Sequence, residues 1–151
     1  MNILIIEDDE LKTGRIRSFL ESEIPGASIE VARSYKSGLR GLVAAKRDLV
    51  VLDMSLPTFD IQPGGDGGRP LSLGGQELLR QMNRRRILYP TIVVTGFDAF
   101  GSSPDIITFS RLSDDLVRDF GHFYLGGTYF NATTDDWRDS LRPLIAAVKK
   151  V

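Results

Sequence analysis

Acidic side chains follow two strongly apolar, β-branched segments of this 151-residue chain. Residues 3–6 lead into Glu7 and Asp8, and residues 50–52 lead into Asp53. Carboxylates grouped in this way are suited to holding a divalent cation or accepting a phosphoryl group. A third apolar run ends on Thr95, which adds a hydroxyl. Ligands of open parallel sheets bind outside the carboxyl ends of the strands, so these strand ends predict one shared site.

Strand-like and helix-like segments alternate five times along the chain, and these elements must position the site. Each strand-like segment precedes a helical one, the first predicted over about residues 10–23 with Leu11, Ile16, Phe19 and Leu20 on its apolar face. This alternation predicts an α/β fold with right-handed crossovers: a doubly wound, five-stranded parallel sheet of flavodoxin-like order 2-1-3-4-5. Strands one and three are then neighbours, with their terminal acids side by side.

A proline- and glycine-rich segment over residues 54–73 is predicted to be a long irregular loop. The length of the chain favours a single domain over residues 1–151, with an insertion at about residues 58–73. Loops of this length are typically functional lids or disordered, and the sequence leaves both open. Asp60 and Asp66 within it are interpreted as solvated loop acids rather than metal ligands.

The composition limits the possible partners. The formal net charge is −1, which gives no support for direct binding to nucleic acid or anionic lipid. Cysteine is absent, which excludes thiolate metal sites and cysteine nucleophiles. No apolar run approaches the roughly 20 residues that cross a bilayer, and no signal peptide is evident, so we expect a cytoplasmic protein. We further expect a monomer or a weak homodimer.

Three motifs together resemble those of a response-regulator receiver domain of two-component signalling. They are Ile5-Ile6-Glu7-Asp8-Asp9, Val51-Leu52-Asp53-Met54-Ser55-Leu56-Pro57 and Val94-Thr95-Gly96. Each motif alone is weakly specific. Their order, spacing and placement at strand ends one, three and four make the resemblance strong, and it spans the whole chain.

The resemblance implies a role for each site residue. Asp53 would accept a phosphoryl group from the phosphohistidine of a histidine kinase or phosphotransferase, and Thr95 would be the switch hydroxyl. Mg²⁺ would be held by Glu7, Asp8, Asp53 and the backbone carbonyl of Ser55. The phosphorylated domain would then signal to a separate effector protein. No enzymatic turnover is implied beyond self-phosphorylation from a phosphodonor and self-dephosphorylation.

The chain departs from the receiver pattern at the end of strand five. Receivers carry a lysine there that pairs with the phosphoryl group, whereas this chain has no lysine between Lys46 and Lys149. Arg69, Arg111 and Arg118 are the candidate replacements. The missing lysine and the insertion favour an alternative, a pseudo-receiver acting as a phosphorylation-independent protein-interaction module. The intact acids and Thr95 favour a stand-alone phosphoacceptor receiver.

A small hydrolase with an aspartate nucleophile is a third possibility. Haloacid-dehalogenase-like phosphatases use a strand-end aspartate in this way, but they need a second aspartate two positions later as the general acid. That position is Ser55 in this chain. The sequence therefore disfavours a hydrolase.

Overall fold

Five parallel strands form the central sheet in the computed structural model, which describes residues 1–68, 70–96, 99–100 (backbone only), 104 and 106–149. The strands are β1 (Asn2–Ile6), β2 (Ser28–Ala32), β3 (Leu49–Leu52), β4 (Thr91–Thr95) and β5 (Tyr124–Tyr129). Their order is β2-β1-β3-β4-β5, and all four pairings are parallel. The predicted fold class and strand order are therefore confirmed.

In the described part of the chain, five helices cover the two faces of the sheet. They are α1 (Glu10–Glu23), α2 (Tyr35–Ala44), α3 (Gly74–Arg84), α4 (Phe109–Phe120) and α5 (Asp136–Lys149). Helices α1 and α5 pack on one face, in an apolar cluster that includes Ile16 and the fully buried Trp137. Helices α2, α3 and α4 pack on the other, in a cluster that includes Leu42 and Leu116. Strands covered on both sides are apolar throughout, which explains the continuous hydrophobic runs of β1 and β3.

Two helices begin at side-chain caps close to the carboxyl edge of the sheet. Asp9 caps α1 by accepting a hydrogen bond from the backbone N–H of Lys12 at 3.0 Å. Ser34 caps α2 in a reciprocal capping box with Ser37. These caps satisfy backbone donors that the first helical turn leaves unpaired, and so fix where each helix starts.

Two glycines allow α2 to lie close against β1. A Cβ atom at Gly38 would come within 2.8 Å of the Ile6 side chain, and one at Gly41 within 3.1 Å of Leu4. The loss of helix propensity at these glycines is therefore offset by the close contact between helix and sheet.

Two short antiparallel pairs lie outside the central sheet, one within residues 54–73 and one between β4 and α4. Leu56–Pro57 pairs with Pro70–Leu71, and Ala99–Phe100 pairs with Ile107–Thr108. The prediction that residues 54–73 contain no regular structure is wrong at this point. In a two-stranded ladder each strand is an edge, where proline is tolerated, and the two prolines lie opposite each other.

Candidate functional site

Three carboxylates come together at the carboxyl edge of the sheet. Each of Glu7, Asp8 and Asp53 offers an oxygen, and these oxygens lie within 4.8 Å of one another. Ile6 and Leu52 are paired in the register of β1 and β3, so the acids that follow them are placed side by side. Glu7 and Asp53 are buried, whereas Asp8 is exposed. The cluster is thus a partly enclosed, strongly negative site.

The backbone fixes the position of Asp53. Its N–H donates to the carbonyl of Ile6 at 3.0 Å, which extends the β1–β3 ladder by one residue. Its Oδ1 accepts a hydrogen bond from the N–H of Met54 at 2.8 Å. The carboxylate is therefore held in a defined orientation at the end of β3.

Lys12 of α1 also belongs to this cluster, and the sequence interpretation missed it. Its Nζ lies 2.7 Å from Oε2 of Glu7 and 3.3 Å from Oδ1 of Asp53. The residue is only 5% exposed. Side chains of a helix lean toward its amino terminus, so a lysine in the first turn of α1 extends back toward the acids.

The helical spacing contained a signal for this lysine. Lys12 lies four residues before Ile16 and eight before Leu20, which places it on the buried face of α1. Leu11, which we expected on that face, is 59% exposed. That part of the prediction is wrong because the charged residue, and not the leucine, faces inward.

Two of the three arginines considered as replacement cations, Arg111 and Arg118, do not fill this position. Arg118 pairs instead with Asp115 and Asp119 on α4. Neither Arg118 nor Arg111 lines the cavity around the acids. Arg69 lies outside the residues that the structure describes. Among the described residues, the cation that pairs with Glu7 and Asp53 is therefore Lys12 of α1.

Burial and repulsion between neighbouring carboxylates raise the pKa values of Glu7 and Asp8. The pKa of Glu7 is raised to about 8, first by burial and second by the charge of Asp53, which together outweigh the lowering by Lys12. Burial also raises the pKa of Asp8. The fully ionised carboxylates and the Lys12 ammonium carry two net negative charges. A divalent cation would neutralise this charge, and carboxylate oxygens are ligands that Mg²⁺ prefers, so the donor set fits that ion.

The raised pKa of Glu7 predicts that the metal-free protein loses stability as pH rises. Between about pH 5 and pH 8 the folded state holds a proton on Glu7 that the unfolded state has released, because the ordinary pKa is 4.5. The free energy of unfolding therefore falls with pH over this interval. We expect thermal denaturation in chelator to show this decrease, and Glu7→Gln to reduce it. An equal decrease in both proteins would contradict the assignment to Glu7.

The insertion forms one wall of the cavity above the acids. This cavity has a volume of about 460 Å³. From the insertion it is lined by Ile61, Asp66, Gly68 and Pro70, and from the sheet edge by the acids and Gly96. The sequence left a functional lid and a disordered loop as alternatives. The described part of the insertion is folded beside Asp53, which fits the first alternative.

Hydrogen bonds to α2 hold the insertion in place. Oδ1 of Asp60 accepts from the hydroxyls of Ser34 at 2.6 Å and Ser37 at 2.7 Å. These two bonds hold the pKa of Asp60 below its usual range. The N–H of Lys36 donates to the carbonyl of Thr58 at 3.0 Å. Asp60 does not belong to the carboxylate cluster, as expected, but it is more than a solvated acid, because it attaches the insertion to the start of α2.

Thr95 and Ser55 lie at the same edge of the sheet. Thr95 is the last residue of β4 and is fully buried, and its carbonyl accepts a hydrogen bond from the N–H of Phe130 at 2.7 Å. Gly96, the next residue, lines the cavity, as does Ser55. The residues predicted to form the site thus lie at one edge of the sheet. Thr95 is buried there and does not line the cavity.

The chain is similar to proteins of known sequence over nearly its full length. It is 28% identical over 143 residues to the Detocs response regulatory protein DtcB of Enterobacter cloacae, covering 93% of this chain and 95% of that protein. It is also 28% identical over 145 residues to protein y4jR of Sinorhizobium fredii, covering 94% and 95% of the two chains. No family model matches the chain.

Solved structures share its fold. A CheY-like receiver domain from Methanospirillum hungatei superimposes with a TM-score of 0.60 at 21% identity, covering 99% of this chain and 94% of that one. The Mn²⁺-bound form of response regulator Rcp1 gives a TM-score of 0.62 at 17% identity, covering 99% of this chain and 96% of that one.

Within the described part of the chain, no helix has the length and apolar character needed to cross a membrane.

Proposed function

We propose that this chain is a stand-alone phosphoacceptor that takes a phosphoryl group on Asp53. Its fold and its similarity to response regulatory proteins, which are those of a receiver domain, support the proposal. The observation that carries the proposal is the convergence of Glu7, Asp8 and Asp53 within 4.8 Å at one sheet edge. Bringing three carboxylates together at a partly buried site costs free energy through desolvation and mutual repulsion. Binding a cation and a phosphoryl group at this site would offset that cost.

Asp53 is suited to be the nucleophile. An aspartate that is ionised can attack phosphorus without a general base. An oxygen of the carboxylate forms the new bond to phosphorus while the bond from phosphorus to the donor atom breaks. The electron pair of that bond leaves with the donor, which is the imidazole nitrogen when the donor is a phosphohistidine. The product is an acyl phosphate on Asp53.

We propose Mg²⁺ as the cofactor, held by Glu7, Asp8, Asp53 and the carbonyl of Ser55. When bound, the ion would neutralise charge on the phosphoryl oxygens. The two net negative charges of the cluster support this choice. The similar protein Rcp1 has a form that binds Mn²⁺, an ion that prefers the same kind of oxygen ligands.

The proposed signal passes by protein contact. A histidine kinase or phosphotransferase would supply the phosphoryl group, and a separate effector would read the product. A phosphoryl group adds negative charge and acceptor oxygens, and Thr95 is the hydroxyl we propose to respond to them. The similarity to a response regulatory protein supports this class of partner.

A phosphorylation-independent interaction module remains the second candidate. The observation that favours it is the sequence of β5, where receivers carry a lysine and this chain has none. Residues of the insertion also line the cavity beside Asp53. Both candidates predict the same fold, but only the first predicts covalent chemistry at Asp53.

The proposal is tested by incubating the protein with acetyl phosphate and Mg²⁺ and measuring its intact mass. We expect the addition of one phosphoryl group, and no addition in Asp53→Asn or in the presence of chelator. Asn has nearly the same shape as Asp, so this variant removes the nucleophile with little change in packing. If the unsubstituted protein gains no mass under conditions that label an ordinary receiver, the interaction module is the better interpretation.

A further inference from the structure

Lys12 contacts the proposed phosphoacceptor, Asp53, from the first turn of α1. Among the described residues, it alone forms an ion pair with Asp53. We infer that Lys12 is the cation that binds the phosphoryl group on Asp53, supplying from α1 the charge that β5 lacks. This inference rests on the proposed function and names a further residue of the same site.

The position of the ammonium supports this role. Lys12 Nζ lies 3.3 Å from Oδ1 of Asp53. A phosphoryl group attached to that carboxylate would place its oxygens within reach of the ammonium. A lysine ammonium has three N–H donors on a flexible stem. It can therefore keep its contact with Glu7 and donate another hydrogen bond to a phosphoryl oxygen.

The charge of the site changes in a way that draws Lys12 toward the phosphoryl group. Phosphorylation replaces the single negative charge of Asp53 by an acyl phosphate of about two negative charges at neutral pH. Lys12 is buried, and Coulombic attraction is stronger away from bulk water. The role that we infer for the ammonium is to bind and orient the phosphoryl oxygens, and not to act as an acid.

A simpler role for Lys12 would be to balance the charge of Glu7 and Asp53 in the resting protein. That role is complete before any phosphoryl group arrives. A phosphoryl-binding role adds affinity only when a phosphoryl group or its analogue is present. The two roles therefore differ in the binding of an acyl phosphate analogue at constant magnesium.

The test compares fluoroberyllate binding to Lys12→Met and Lys46→Met at saturating Mg²⁺, followed by fluorine NMR. Lys46 is exposed and precedes β3, so it lies at the end of the strand away from Asp53, and its variant makes the same change in net charge. Loss of one charge-assisted contact is expected to weaken fluoroberyllate binding roughly 10- to 100-fold in Lys12→Met. Lys46→Met is expected to bind as the unsubstituted protein does.

A magnesium titration of Lys12→Met without fluoroberyllate separates the two ligands. We expect magnesium to bind as tightly as before or more tightly, because a neighbouring positive charge has been removed. Lys12→Arg, which keeps the charge, is expected to recover part of the fluoroberyllate affinity. If Lys12→Met does not fold, Lys12→Gln provides the same comparison with a polar side chain.

Two negative results have different meanings. Equal fluoroberyllate affinities in Lys12→Met and Lys46→Met would overturn the role of Lys12 and leave the proposed function standing. Absence of fluoroberyllate binding and of phosphoryl labelling in the unsubstituted protein would overturn the proposed function, and the inference with it.

Discussion

Asp8→Asn is expected to raise the dissociation constant for Mg²⁺ roughly 30-fold, or about 2 kcal/mol. The physical reason is the loss of one of the three negative charges in the cluster. A full charge at about 4 Å contributes about 4 kcal/mol at an effective dielectric constant near 20, and the exposure of Asp8 reduces this value. Isothermal titration with magnesium measures the change directly.

Asp66→Asn is the matched control for this experiment. Asp66 lines the same cavity but does not belong to the cluster of converging carboxylates. Its Oδ1 accepts a hydrogen bond from the N–H of Gly68, which an asparagine oxygen can also accept. We expect at most about a 3-fold change, because solvent and salt screen a charge that does not contact the ion. Equal losses in the two variants would mean that Asp8 acts only through long-range charge.

The sequence predicted the sheet and the edge where the acids meet because both depend on local patterns. Runs such as residues 50–52 must be buried on both faces, and an acid directly after such a run must lie at a strand end. Once the order of the strands follows from the alternation of elements, Glu7 and Asp53 are necessarily neighbours. No long-range contact had to be known in advance.

The partners of Lys12 and Asp60 could not be predicted from local patterns, because the spacing within α1 indicates which face is buried but not what that face contacts. A lysine in a first helical turn is ordinarily solvated, and only the packing of α1 brings this one against Glu7 and Asp53. Asp60 meets Ser34 across 26 residues of chain, through a loop whose course the sequence does not specify. A charged residue that contacts a buried site is easily mistaken for a solvent-exposed residue when only the sequence is known.

Gly75→Ala is expected to destabilise the fold by about 2–3 kcal/mol and to reduce phosphoryl labelling of Asp53. A Cβ atom at this position would lie 2.3 Å from the carbonyl oxygen of Asp53 and 2.9 Å from the Cα of Met54. These are backbone atoms, so the clash cannot be relieved by rotating a side chain. Either α3 or the end of β3 must shift, and a shift of β3 displaces the nucleophile from its acidic neighbours.

Gly14→Ala supplies the opposite case with the same change in side chain. Gly14 lies on the exposed face of α1, and a Cβ atom there would meet nothing within 4 Å. Alanine is expected to stabilise this helix by about 0.5–1 kcal/mol, because glycine loses more backbone entropy on folding. Denaturant unfolding of both variants measures the contrast. If Gly75→Ala were also stabilising, α3 could not lie as close to the end of β3 as these distances indicate. The close packing of α3 would then not be what positions Asp53.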